Sequence, residues 1–107
     1  MKVEVLYVPD CPYHSSAVNQ LRDVLLAEGV RANINEVAVM DAKAAEEYRF
    51  YGSPTIRING RDIAGESHSP MSFALACRIY PGTTEAGVPS LEMMQRAVRE
   101  ARVGENM

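Results

Sequence analysis

Residues 2 to 9, Lys-Val-Glu-Val-Leu-Tyr-Val-Pro, constrain the fold more than any other stretch of the chain. They are rich in β-branched and aromatic side chains, and beyond Lys2 and Glu4 both faces of the strand they predict are apolar. Such a strand belongs in the interior of a sheet that is covered on both sides. The cover has to come from helices, and the sequence supplies them. Ala17, Val18, Leu21, Val24 and Leu25 fall at helical spacing, and Gly29 ends the run as a C-terminal cap.

Residues 30 to 39 read as a second strand. The alternation, Ala32 and Ile34 followed by Val37 and Val39, slips by one near Asn35-Glu36 and leaves room for a bulge. Asp41 can cap a helix over Ala-Lys-Ala-Ala-Glu-Glu-Tyr-Arg-Phe-Tyr, which stops at Gly52. In Pro-Thr-Ile-Arg-Ile-Asn-Gly-Arg-Asp-Ile-Ala, the pair Asn59-Gly60 between two short apolar-polar runs is a strong hairpin signal. A closing helix has Ser90 as its cap and Leu91, Met94, Val98 and Ala101 as its buried stripe. Residues 71 to 80 alternate as a strand would, with Phe73, Leu75, Cys77 and Ile79 on one side, although their length also suits a short helix. The alternation favours an extra strand beside the hairpin. Parallel strands joined by helical crossovers, then a hairpin and a helix, give a single α/β domain over residues 1 to 107 with a central mixed sheet ordered β-α-β-α-β-β-α.

Composition narrows the function. Hydrophobic residues make up 47% and charged residues 23%, as in an ordinary globular domain with a core. Eleven basic residues against fourteen acidic ones leave a net charge of -3, and no basic cluster offers a nucleic acid a footprint. The longest apolar stretches are far too short to span a membrane. The first residues are strand-like and carry Glu4, unlike a signal peptide, so the expected compartment is the cytoplasm. There, two cysteines are more often chemical than structural.

Cys11 is the first of the two. It stands in Val-Pro-Asp-Cys-Pro-Tyr-His, where the first strand gives way to the first helix. A sulfur there can face unpaired amide groups and the positive end of the helix dipole, both of which stabilise a thiolate. Pro12 suits an early helical position, where no N–H is needed. His14 lies one turn along and can pass a proton to or from a leaving sulfur, or it is simply a surface histidine at a helix start. Cys77 is ordinary core packing if its strand face is buried. It can resolve an oxidised Cys11 only if the two Cα atoms come within about 7 Å.

Cys-Pro-Tyr-His opening the first helix, together with Gly-Ser-Pro-Thr at 52 to 55 opening the third strand, resembles the thioredoxin and glutaredoxin superfamily. Cys-Pro-Tyr also begins the glutaredoxin motif. Val-Leu-Tyr-Val-Pro-Asp-Cys-Pro, Tyr-Gly-Ser-Pro-Thr-Ile-Arg-Ile-Asn-Gly and Cys-Arg-Ile-Tyr-Pro-Gly-Thr-Thr-Glu-Ala-Gly-Val-Pro-Ser are together similar to a narrower group of small bacterial thioredoxin-like proteins. In that group the position of Cys11 is sometimes selenocysteine, and some members are labelled alkylmercury lyase-like. The resemblance covers the whole chain, and its motifs identify a superfamily and not a substrate. It implies a thioredoxin-like fold, a cis bond before Pro54, and a thiol facing that proline. It also implies that Pro12, Tyr13, Ser53, Pro54 and Thr55 lie around a bound peptide or glutathione, with Ser67 or His68 near the γ-glutamyl end. One departure matters: position 14 holds no cysteine, so dithiol exchange within the motif is impossible.

The expected activity is therefore monothiol thiol–disulfide exchange with Cys11 as nucleophile, using disulfide, peroxide or glutathione as substrate and no cofactor. Binding is the competing class. Cys11, His14, His68 and Cys77 are ligand types for soft metals such as zinc or Cu(I), yet C-x2-H followed far off by H-x8-C matches no standard zinc motif. Organomercury capture by two thiolates has only the family label behind it. A redox-silent interaction module is the third class.

Overall fold

The computed structural model describes residues 1–50, 52–64 and 88–105. Within them the order is β1 (Val3–Tyr7), α1 (His14–Ala27), β2 (Ile34–Ala38), α2 (Ala42–Glu47), β3 (Thr55–Ile58), β4 (Arg61–Asp62) and α3 (Leu91–Glu105). The four strands form one mixed sheet ordered β2-β1-β3-β4. β1 lies parallel to β2, with Val3 opposite Ile34 and Tyr7 opposite Ala38. It lies antiparallel to β3, with Val3 opposite Ile58 and Leu6 opposite Thr55. Only the first crossover therefore joins parallel strands; the second returns the chain in the opposite direction. The expected extra strand over 71 to 80 falls outside the described residues.

β1 is interior and buried on both faces, which is why its apolar residues do not alternate with polar ones. Val3 and Val5 join Ile56 and Ile58 under α1 and α3, where Ala17, Val18, Leu21, Val24, Leu25, Met94 and Val98 complete the main core. Leu6 points the other way, into a smaller cluster with Val39, Ala45 and Phe50 beside α2. All five residues of the expected α1 stripe are buried. In α3 the stripe is narrower: Met94 and Val98 are buried, but Leu91, at the first helical position, is half exposed.

Local chemistry fixes the ends. Gly29 (φ 70°) closes α1: its N–H bonds the Leu26 carbonyl, and Val30 N–H bonds that of Leu25, a Schellman pair. α2 ends the same way, five residues short of the expected Gly52. Arg49 takes the left-handed position (φ 52°), its N–H bonding the Glu46 carbonyl and that of Phe50 bonding the Ala45 carbonyl. Asp41 Oδ1 accepts from Ala44 N–H at 2.8 Å and Ser90 Oγ from Met93 N–H at 3.1 Å, capping α2 and α3. Asn59 and Gly60 both have positive φ, as a type I′ hairpin turn requires. β2 is shorter than residues 30 to 39, and its pairing with β1 runs unbroken from Ile34 to Ala38 without a bulge. At the far end of the helices, Arg99 grips both Glu28 carboxylate oxygens at 3.0 Å and Arg102 donates to the Glu28 carbonyl. The Arg99 hydrogen bond, aided by the charges of Arg99 and Arg102, outweighs desolvation and holds the Glu28 carboxyl below its ordinary range.

Among the described residues no helix is long and apolar enough to cross a membrane.

Candidate functional site

The segment from Val8 to His14 is built from two β-turns that share Cys11. In the first, Cys11 N–H bonds the Val8 carbonyl at 3.2 Å. Pro9 occupies the second position, where its fixed φ belongs, and Asp10 takes the third with φ 65°. That is the φ pattern of a type II turn. In the second, His14 N–H bonds the Cys11 carbonyl at 3.3 Å, with Pro12 second and Tyr13 third at φ -101°, ψ -5°, close to type I values. Two prolines, three residues apart, each pre-set one turn.

This corrects the expected helix start. α1 begins at His14, with Tyr13 as its cap residue and no side-chain cap bond. Pro12 lies outside the helix, and Cys11 is three residues ahead of it. Both proline positions want φ near -65°, so the residue alone does not say which it fills. Cys11 is half-buried, and Pro12 is exposed.

A second loop is tied to the first. The Ser53–Pro54 bond is cis, and Gly52, Ser53, Pro54 and Thr55 are all buried. Ser53 Oγ accepts from Val8 N–H at 3.0 Å, while Thr55 Oγ1 donates to the Gly52 carbonyl. Val8 is thus held at both ends: its N–H by Ser53, its carbonyl by Cys11. The hydroxyls of Ser53 and Thr55, two of the residues expected around a substrate, bond to protein groups.

His14 is neither loose nor bonded to the Cys11 thiol among the described residues. Its ring stacks on Tyr7 with centroids 3.7 Å apart and planes 8° from parallel. Its Nε2 lies 2.6 Å from Glu36 Oε1. Tyr7 and Glu36 were not among the expected site residues. The strand register brings them together: Val5 pairs with Glu36 and Tyr7 with Ala38, so Tyr7 and Glu36 share one sheet face as diagonal neighbours. Alternation places each on the α1 side of its own strand, but only the register shows that they meet.

Cys77, Ser67 and His68 lie outside the described residues. Among those described, no three His, Cys, Asp or Glu side chains gather as metal ligands. A groove between β4 and α3, lined by Asp62, Ile63, Met93, Arg96 and Ala97 among others, includes no residue of the Cys11 turns. Comparison with protein families, with curated proteins and with solved structures gives no match to this chain.

Proposed function

We propose that this chain is a thioredoxin-like thiol–disulfide oxidoreductase of the monothiol type, with Cys11 as the nucleophile and glutathione as the reductant. One observation carries the reading. Cys11 is held at the corner between an interior strand and the first helix by two proline-led turns, and Val8 joins that corner to the Ser53–Pro54 segment. The sheet order, with one parallel and two antiparallel pairings, is compatible with it.

The chemistry needs one sulfur in the protein. The Cys11 thiolate attacks a disulfide, forming a mixed disulfide and expelling a thiolate that takes up a proton. A glutathione thiolate then attacks the mixed disulfide and releases Cys11. His14, the first residue of α1 and three residues beyond Cys11, supplies the proton. Pro12 and Tyr13, beside the thiol, contribute contact surface for the substrate. Peroxide suits the same thiolate through a sulfenic intermediate. A reducing cytoplasm, which keeps glutathione available, is the compartment in which this cycle runs.

The test is reduction of a glutathione mixed disulfide in an assay coupled to glutathione reductase. Wild type should turn over, and Cys11→Ser should be inactive while keeping the wild-type circular dichroism spectrum. A Cys11→Ser protein that retained the wild-type rate would eliminate Cys11 as the nucleophile.

A further inference from the structure

His14 could have been an ordinary histidine at a helix start, free to rotate in solvent. It is held about two axes instead. The Glu36 carboxylate fixes the ring in its own plane through Nε2 at 2.6 Å, and Tyr7 fixes the plane itself by stacking at 3.7 Å and 8°. The two come from different strands, β2 and β1, and both reach across to the first residue of α1. A nucleophile followed one turn later by an imidazole, itself oriented by a third group, is the arrangement that general acid–base chemistry uses.

We infer that Glu36 and Tyr7 are positioning residues for His14, holding its imidazole so that Nδ1 delivers a proton to the thiolate expelled when Cys11 attacks a disulfide. The inference rests on the reading of Cys11 as nucleophile given above. An ionised carboxylate only accepts hydrogen bonds, so Nε2 keeps its hydrogen on Glu36, and the transferable proton is the one on Nδ1. Among the described residues Nδ1 makes no hydrogen bond, which leaves it open to a substrate. Nδ1 is also the ring nitrogen nearer to the backbone, and the His14 N–H is bonded to the Cys11 carbonyl at 3.3 Å.

For a mixed disulfide of glutathione and a second thiol the steps balance. The Cys11 thiolate bonds to the glutathione sulfur, the disulfide breaks, and the second thiol leaves carrying the Nδ1 proton. The ring is then neutral, with Nε2–H still on Glu36. An incoming glutathione thiol returns a proton to Nδ1, and its thiolate attacks the Cys11–glutathione disulfide. Glutathione disulfide departs, and Cys11 is a thiolate again.

A proton donor matters most when the leaving thiolate is basic, so the test varies the leaving group. The substrates are the glutathione mixed disulfides of 2-mercaptoethanol, a basic alkyl thiolate, and of thionitrobenzoate, a weakly basic aryl one. Glu36→Gln should lower kcat/KM for the alkyl substrate about tenfold or more, while leaving the aryl substrate within about twofold. Tyr7→Leu removes the stacked ring and should lower kcat/KM for the alkyl substrate in the same direction, with the aryl substrate again little changed. Nitrogen NMR of the imidazole should show hydrogen on Nε2 in wild type and a changed tautomer balance in Glu36→Gln. Equal losses on the two substrates, or no loss on either, would overturn the inference and leave Cys11 as nucleophile intact. So would a wild-type ring found to carry its hydrogen on Nδ1 alone when neutral. A wild type inert toward both substrates would remove the reading of Cys11 and this inference with it.

Discussion

Ser53→Ala tests whether the Cys11 corner is held from outside its own loop. The Ser53 hydroxyl is buried and is the acceptor for the part-buried Val8 N–H at 3.0 Å. Alanine removes the acceptor without changing the backbone or adding bulk, so the Val8 amide loses its partner. Stranding a buried donor costs about 1–3 kcal/mol. With a urea m-value of about 2 kcal/mol per molar for a domain of this size, the midpoint should fall by about 1 M. That is a sizeable share of a total stability of about 5–15 kcal/mol.

Global stability alone would not distinguish a loosened corner from a loosened protein, so the second readout is local. Val8 N–H and Cys11 N–H form successive links, Ser53 to Val8 and Val8 to Cys11. Their exchange with deuterium should accelerate in Ser53→Ala by more than that of core amides such as Val24, which respond only to global unfolding. The reasoning fails if the urea midpoint is unchanged, or if Val8 and Cys11 exchange no faster relative to Val24 than in wild type.

Two further substitutions address the ends of the helices. The Glu28 carboxyl is held below its ordinary range, so its contribution is present above the unfolded value of about 4.3 and is lost as the pH falls through the lower folded value. Glu28→Gln should therefore lower the melting temperature at pH 7 and flatten its decline below about pH 4.3, as thermal scans across that range will show. Arg49 occupies a left-handed position that a side chain disfavours, and a glycine there loses more backbone freedom on folding, which offsets part of the gain. Arg49→Gly should raise stability by up to about 1 kcal/mol in urea titration, because the exposed Arg49 side chain makes no hydrogen bond or ion pair among the described residues.

Most of the fold is legible where one physical cause acts alone. The α1 stripe, the Asn59-Gly60 turn and the Asp41 and Ser90 caps each follow from a single rule, and each is where the residues put it. The misreadings occur where one pattern serves two causes. β2 has apolar residues on both faces, Val37 toward α2 and Ile34 toward α1, so its broken alternation resembles a bulge although the ladder is regular. The α2 run continues in sequence to residue 51, but Phe50 is drawn into the cluster with Leu6 and Val39, and the chain leaves the helix to place it there. Strand direction is written in no local residue, so the antiparallel return of β3 could not be read.

The candidate site divides along the same line. Cys11 and His14 are visible in one heptapeptide, because Pro-Asp and Cys-Pro-Tyr-His are turn chemistry. Of what surrounds them, Ser53 is legible from its place before Pro54, but Tyr7 and Glu36 are not, because they meet His14 only through strand register. The division has a chemical consequence. Cys11 closes its two turns only through its backbone N–H and carbonyl, and its sulfur closes neither. The corner is specified by Pro9, Pro12, Val8 and Ser53, whatever atom stands at the tip of residue 11. Position 11 therefore accepts another side-chain atom without a change of shape, so Cys11→Ser should leave the fold in place and, under the proposed thiol chemistry, be inactive.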